Sequence, residues 1–185
     1  MGTNVKSYTD KQLLGRVRSL SDFTHIPNGY WNLWVASIED EHDKMDDKRY
    51  LFNNETFISV SPCTTNKGKR GTAVIKTDQW LYDGFIYGLH KGKMPCFRQN
   101  KPFYFYRDFN EDTNTDEVGE LYFENIQTQW HGSTYHKSKD IHVVRENIGA
   151  WSEGCLVDAD NEKYERDLVI CKPQGVMTGC IIKEF

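Results

Sequence analysis

Apolar residues along this chain fall mostly in short, β-rich runs at close spacing, separated by turn-forming clusters. The exception comes first. Residues 9–20 place Leu13, Leu14, Val17 and Leu20 on one helical face, with Thr9 positioned as a cap, so a short helix is expected there. Pro27-Asn28-Gly29 marks a turn, and Tyr30 to Ile38 reads as a buried strand. Tyr50-Leu51-Phe52, the Asn53-Asn54 pair and Thr56 to Val60 make a hairpin. Further strands are expected at Thr72 to Ile75, Trp80 to Leu89 and Lys101 to Arg107, with His90-Lys91-Gly92-Lys93 as a turn. Leu168 to Cys171 and Gly179 to Ile182 read as closing strands. Many short strands with one helix predict a mainly β single domain over residues 1–185, built as a sandwich or a barrel-like sheet.

Composition agrees with that class. The chain has 185 residues, enough for a substantial core, and its ten Tyr, ten Phe and five Trp favour strands and aromatic packing. A net charge of −4 gives no reason to expect nucleic acid or a membrane surface as partner. Glu39 to Lys48 reads as a solvated charged loop, although Asp40, Glu41, Asp43, Asp46 and Asp47 are cation-type ligands. Asp108, Asn110, Asp112, Asn114 and Asp116 alternate like the start of a calcium loop. Thr113 stands where the turn glycine belongs and Gly119 where the bidentate glutamate belongs, which favours a polar hairpin loop. No metal or other cofactor is expected.

Five cysteines are present, Cys63, Cys96, Cys155, Cys171 and Cys180, with no paired spacing that suggests a zinc or redox motif. The simplest reading is a reduced protein with one reactive and four packed thiols. Cys155 is the reactive candidate, because Ser152-Glu153-Gly154 before it forms a turn rather than an apolar run. A thiol needs a base to become a nucleophile, and a histidine can serve near neutral pH. His131, followed by Gly132-Ser133-Thr134, is that candidate, with His136 and His142 in reserve and His90 placed to line a groove. His25 and His42 read as surface. Gly154 allows a tight turn that exposes the sulfur and leaves backbone N–H groups for an oxyanion. Trp130 and Trp151 flank the two halves, either as groove walls or as packing beneath the turn.

The segment 121–157, with His131-Gly132-Ser133-Thr134 followed by Ser152-Glu153-Gly154-Cys155, resembles the paired signature of L,D-transpeptidases, cysteine enzymes that act on peptidoglycan stem peptides. The resemblance implies an L,D-transpeptidase-like β fold with Cys155 as nucleophile, His131 as its base, and Ser152 and Gly154 in the catalytic turn. It further implies that Gly132, Ser133, Trp130, Trp151 and Glu153 contact the stem peptide. Glu153 stands where the family usually has histidine, and Val157 where Arg or Asn often follows. Gly71-Thr72-Ala73, the Tyr87 to Gly92 turn and Tyr106-Arg107-Asp108 look like segments of transpeptidase-like proteins from bacteria and phages.

The expected activity is therefore acyl transfer or peptidase cleavage on peptidoglycan through a thioester. The N-terminal residues lack the apolar run of a signal peptide. The expectation is a protein made in the cytoplasm that reaches the wall by a phage route, through a holin or within the virion, with virion proteins as further partners. Two other readings remain open at this level. One is a catalytically inactive virion or wall-binding module, motivated by Glu153 and Val157. The other is a calcium-stabilised adhesion component built on residues 108–116.

Overall fold

The computed structural model describes residues 5–38, 44–66, 71–107, 119–133, 142, 144–147 and 154–185. In chain order the elements are α1 (Asp10–Arg18), β1 (Tyr30–Ala36), β2 (Asp47–Asn53), β3 (Thr56–Thr64), β4 (Ala73–Ile75), β5 (Gln79–His90), β6 (Met94–Gln99), β7 (Phe103–Arg107), β8 (Leu121–Glu124), β9 (Gln129–Gly132), β10 (Leu156–Asp158), α2 (Asn161–Cys171) and β11 (Val176–Lys183). Among the described residues the protein is mainly β, as its short β-rich runs predict.

Eight strands close a barrel in the order β1-β11-β5-β6-β9-β10-β3-β2. Two neighbouring pairs run parallel, β1 with β11 and β9 with β10, and the other barrel pairs are antiparallel. Strand alternation sorts the side chains. Trp34, Leu51, Phe85, Phe97, Trp130, Leu156 and Ile181 share the interior core, whereas Trp31, Leu33, Val35, Tyr50 and Phe52 belong to an outer cluster. Helix α1 covers that outer cluster with Leu13, Leu14 and Val17. Its N-terminus is held by a capping box, in which Gln12 N donates to Thr9 Oγ1 and Thr9 N donates to Gln12 Oε1. A three-stranded sheet, β4-β7-β8, adjoins the barrel, and its Ile75 and Phe103 enter the interior core.

Three expectations are corrected. Leu168 to Cys171 is not a strand but the last turn of α2. Asp160 caps this helix by accepting from Lys163 N, and Tyr164, Asp167, Leu168 and Cys171 then recur on one buried face. The acidic stretch before β2 is not wholly solvated: Asp46 and Asp47 are buried, and Asp47 accepts from Ser37 N, Thr65 N and Thr65 Oγ1. Residues 39–43 lie outside the described set. His90, expected in the turn, is instead the last residue of β5, and β6 follows with Pro95 at an exposed position.

The barrel interior is not purely apolar. Arg49, fully buried on β2, donates through Nε to both oxygens of Asp158 (3.0 and 2.8 Å), through Nη1 to Asn32 Oδ1 (3.2 Å) and through Nη2 to Asp167 Oδ2 (2.7 Å). Burial works against its charge, but the Asp158 and Asp167 carboxylates outweigh that and raise its pKa further, so it stays charged. Trp130 Nε1 donates to Asp158 Oδ1 at 3.2 Å, and the guanidinium lies 4.9 Å from the Trp130 ring. This network ties β2, β9, β10 and α2 together from inside.

Candidate active site

The parallel pairing of β9 and β10 sets His131 on one strand of the sheet and Cys155 immediately before the neighbouring one. Leu156 is opposite Trp130, Val157 opposite His131 and Asp158 opposite Gly132. Trp130 and Leu156 point into the barrel, so strand alternation directs His131 and Val157 outward. Cys155 immediately precedes β10 and packs with Met45, Val157 and Ala159 in a small outer cluster. It is therefore on the His131 face of the sheet.

All five cysteines are free thiols. Cys63, Cys96, Cys171 and Cys180 are buried, and Cys155 alone is partly exposed. Burial pushes the Cys171 thiol up to about 12. It does the same at Cys96, where the negative form of nearby Cys155 adds to the effect. Cys63 and Cys180 are likewise raised by burial. These four are poor nucleophiles, as expected of packed thiols.

The histidine's tautomer follows from its neighbours. His131 Nδ1 is 2.9 Å from Gly132 O, and a carbonyl can only accept. Nδ1 therefore carries the proton, and Nε2 is the basic nitrogen. The imidazole is almost wholly buried, at 1% exposure, so its position is held by packing as well as by that bond.

The flanking glycines are fixed for different reasons. Gly154 has φ +142°, and a Cβ there would approach Ala73 Cβ to 3.2 Å. Its carbonyl accepts from Thr128 Oγ1, which ties the turn to the residue before β9. A Cβ on Gly132 would meet Tyr164 Cδ1 at 2.7 Å, so Gly132 lets α2 lie against β9. Ser133, expected beside substrate, is instead buried, with its hydroxyl donating to Asn161 Oδ1 at 3.0 Å. Trp130, also expected beside substrate, is inside the barrel, stacked on Phe97 and edge-on to Tyr164. Ser152, Glu153, Trp151 and His136 lie outside the described residues, as do His42 and the calcium-like stretch 108–116.

His142 is exposed and sits 3.2 Å from Glu162. His25 is exposed and stacks on Tyr82. His90 is different. Its ring lies 5.3 Å from that of His131, and its Nδ1 is 2.5 Å from Gln129 Oε1. Cys96 Sγ donates to the same oxygen at 3.3 Å. Gln129 was not singled out from sequence, although its position two residues before His131 on a strand puts it on the same face.

Among the described residues no group of three or more His, Cys, Asp or Glu side chains is placed to hold a metal ion. A cavity of about 290 Å³ is lined by His25, Tyr82, Asp83 and Thr178 among others, but none of its lining residues belongs to β9 or β10. No described helix is long and apolar enough to cross a membrane. Compared with known proteins, the chain matches no family model, no curated protein and no solved structure.

Proposed function

We propose that this protein is a cysteine acyl-transferase or peptidase of the L,D-transpeptidase type, acting on peptidoglycan stem peptides. One observation carries the reading: the parallel β9–β10 pair sets the least buried thiol, Cys155, on the same sheet face as His131, whose basic nitrogen is Nε2. The resemblance of His131-Gly132 and Ser152-Glu153-Gly154-Cys155 to the transpeptidase signature supplies the substrate class.

In this mechanism His131 Nε2 takes the Cys155 proton, leaving a thiolate beside an imidazolium. The sulfur attacks a stem-peptide amide carbonyl, and the C=O π electrons move to oxygen. Backbone N–H groups at the Gly154–Cys155 turn stabilise that oxyanion, an effect of about 3 kcal/mol per donor in comparable sites. Collapse breaks the C–N bond, and His131 returns the proton to the departing amine. The thioester then passes to an amine, giving transpeptidation, or to water, giving hydrolysis.

The test is intact mass after incubation with purified muropeptides, with wild type beside Cys155→Ala. An acyl adduct on wild type alone, with release of a D-amino acid, is the expected result. No adduct and no product across several stem chemistries would overturn it in favour of an inert wall-binding or virion module.

A further inference from the structure

The residues around His131 include one histidine that the proposed chemistry does not use. His90 ends β5, and β5, β6 and β9 are consecutive neighbours in the barrel. The outer face of these strands carries His90, Cys96, Gln129 and His131 in contact. His90 Nδ1 donates to Gln129 Oε1, and the same oxygen accepts the Cys96 thiol. The His90 ring packs against the His131 ring at 5.3 Å, with planes inclined by 39°. His90 is only 8% exposed and Gln129 9%, so neither samples many rotamers.

We infer that His90, clamped by Gln129, is a positioning residue for the His131 imidazole and thereby sets how readily Cys155 forms its thiolate. This deepens the Cys155–His131 reading and rests on it. His131 is held at one atom by Gly132 O and across its face by the His90 ring. Two constraints of different kind leave the ring little freedom to rotate about its side-chain bonds. A base that must accept a proton in one direction benefits from that restriction.

The charge state of His90 fits the role. Burial lowers its pKa, the Gln129 carbonyl opposes this, and nearby Lys91 and Arg98 lower it further. The lowered pKa favours the neutral form of His90, and a neutral ring does not repel an imidazolium beside it. Among the described residues, the other ionisable groups near this face are Arg98, opposite Gln129 on β6, Lys91 beside His90, Cys96, held protonated by burial, and Cys155 itself.

The experiment reads Cys155 directly, without substrate. Iodoacetamide alkylation is followed by peptide mass from pH 5 to 10 in wild type, His131→Ala, His90→Phe and Gln129→Met, with far-UV circular dichroism as a control for folding. His90→Phe keeps the ring but cannot bond Gln129, and Gln129→Met breaks the same bond from the other side. The expected result is a thiolate midpoint raised by about one pKa unit in both variants, hence roughly tenfold slower alkylation near neutrality. The double variant should be no worse than Gln129→Met alone, which already loses both the His90 and the Cys96 bonds to that oxygen. Profiles of His90→Phe and Gln129→Met that superimpose on wild type, while His131→Ala still shifts, would overturn the role of His90. A wild-type midpoint near an ordinary thiol, unmoved by His131→Ala, would instead overturn the dyad on which it rests. Should His90→Phe fail to fold, Gln129→Met decides alone.

Discussion

Arg49 and Asp158 meet inside the barrel with both side chains at 0% exposure, and Arg49 Nε reaches both carboxylate oxygens. Asp158 is the last residue of β10, three residues after Cys155. The ion pair therefore anchors from within the strand whose outer face carries Val157. Removing Asp158 leaves a buried guanidinium with one carboxylate fewer, and uncompensated buried charge is costly. Asp158→Ala should lower unfolding free energy by about 3–5 kcal/mol. Chemical denaturation followed by tryptophan fluorescence measures it, and a loss below about 1 kcal/mol would show that the network is dispensable.

Thiol accessibility gives a second prediction. Native protein should consume one equivalent of a bulky thiol reagent, mapped by mass to Cys155, and unfolding should release the other four. Rapid native labelling of Cys63 or Cys180, both at 0% exposure, would contradict the packing of the barrel.

Those packed thiols also set an alkaline limit. Burial raises Cys171 to about 12, and burial aided by Cys155 raises Cys96 to about 12. An unfolded thiol ionises near pH 8.5. Below that pH both states hold the proton and the contribution is intact. Above it the unfolded chain loses its protons first, so stability falls as pH rises toward 12. Denaturation midpoints at pH 8 and pH 10 should differ in that direction, and Cys171→Ala should flatten the slope.

The two glycines of the site should respond differently to alanine. Gly132→Ala forces a Cβ to within 2.7 Å of Tyr164 Cδ1 and 3.0 Å of Asn161 Oδ1, so β9 and α2 must separate. A stability loss of about 1–3 kcal/mol is expected from such overpacking, read as a lower melting temperature. Gly154→Ala meets Ala73 and an unfavourable φ of +142°. It should shift the Cys155 turn, so alkylation of Cys155 should change more than the melting temperature does. Equal effects on both readouts would remove the assignment of Gly154 to the turn.

Local patterns carried much of the fold. The Asn53-Asn54 turn, with Asn54 at φ 51°, and the β-rich buried run through Tyr30 to Ala36 are decided by neighbours in sequence, so they are legible there. Leu168-Val169-Ile170-Cys171 was misread as strand because its β-branched residues favour extension locally. The Asp160 cap and the burial of Tyr164 and Asp167 override that preference. The same distinction separates the parts of the site. Cys155 and His131 stand out in the sequence because each lies in a short motif. The contact of His90 with Gln129 and His131 depends on the register of β5, β6 and β9, which no local pattern encodes. The Arg49–Asp158–Asp167 network was invisible for the same reason.

The parallel pairing of β1 with β11 has a consequence for biogenesis. During synthesis at roughly 5–20 residues per second, the ribosome releases β9, β10 and the Cys155 turn before β11. Yet β11 is the strand that joins β1 to β5, and without it the barrel is an open, curled sheet. Closure must await residues 176–183, whereas the β9–β10 pair, which carries His131 and precedes β11 in sequence, needs no residue of that strand. Barrel closure is thus timed to the arrival of β11, and a chain stalled before it would present a sheet with two unpaired edges, on β1 and β5, to its surroundings.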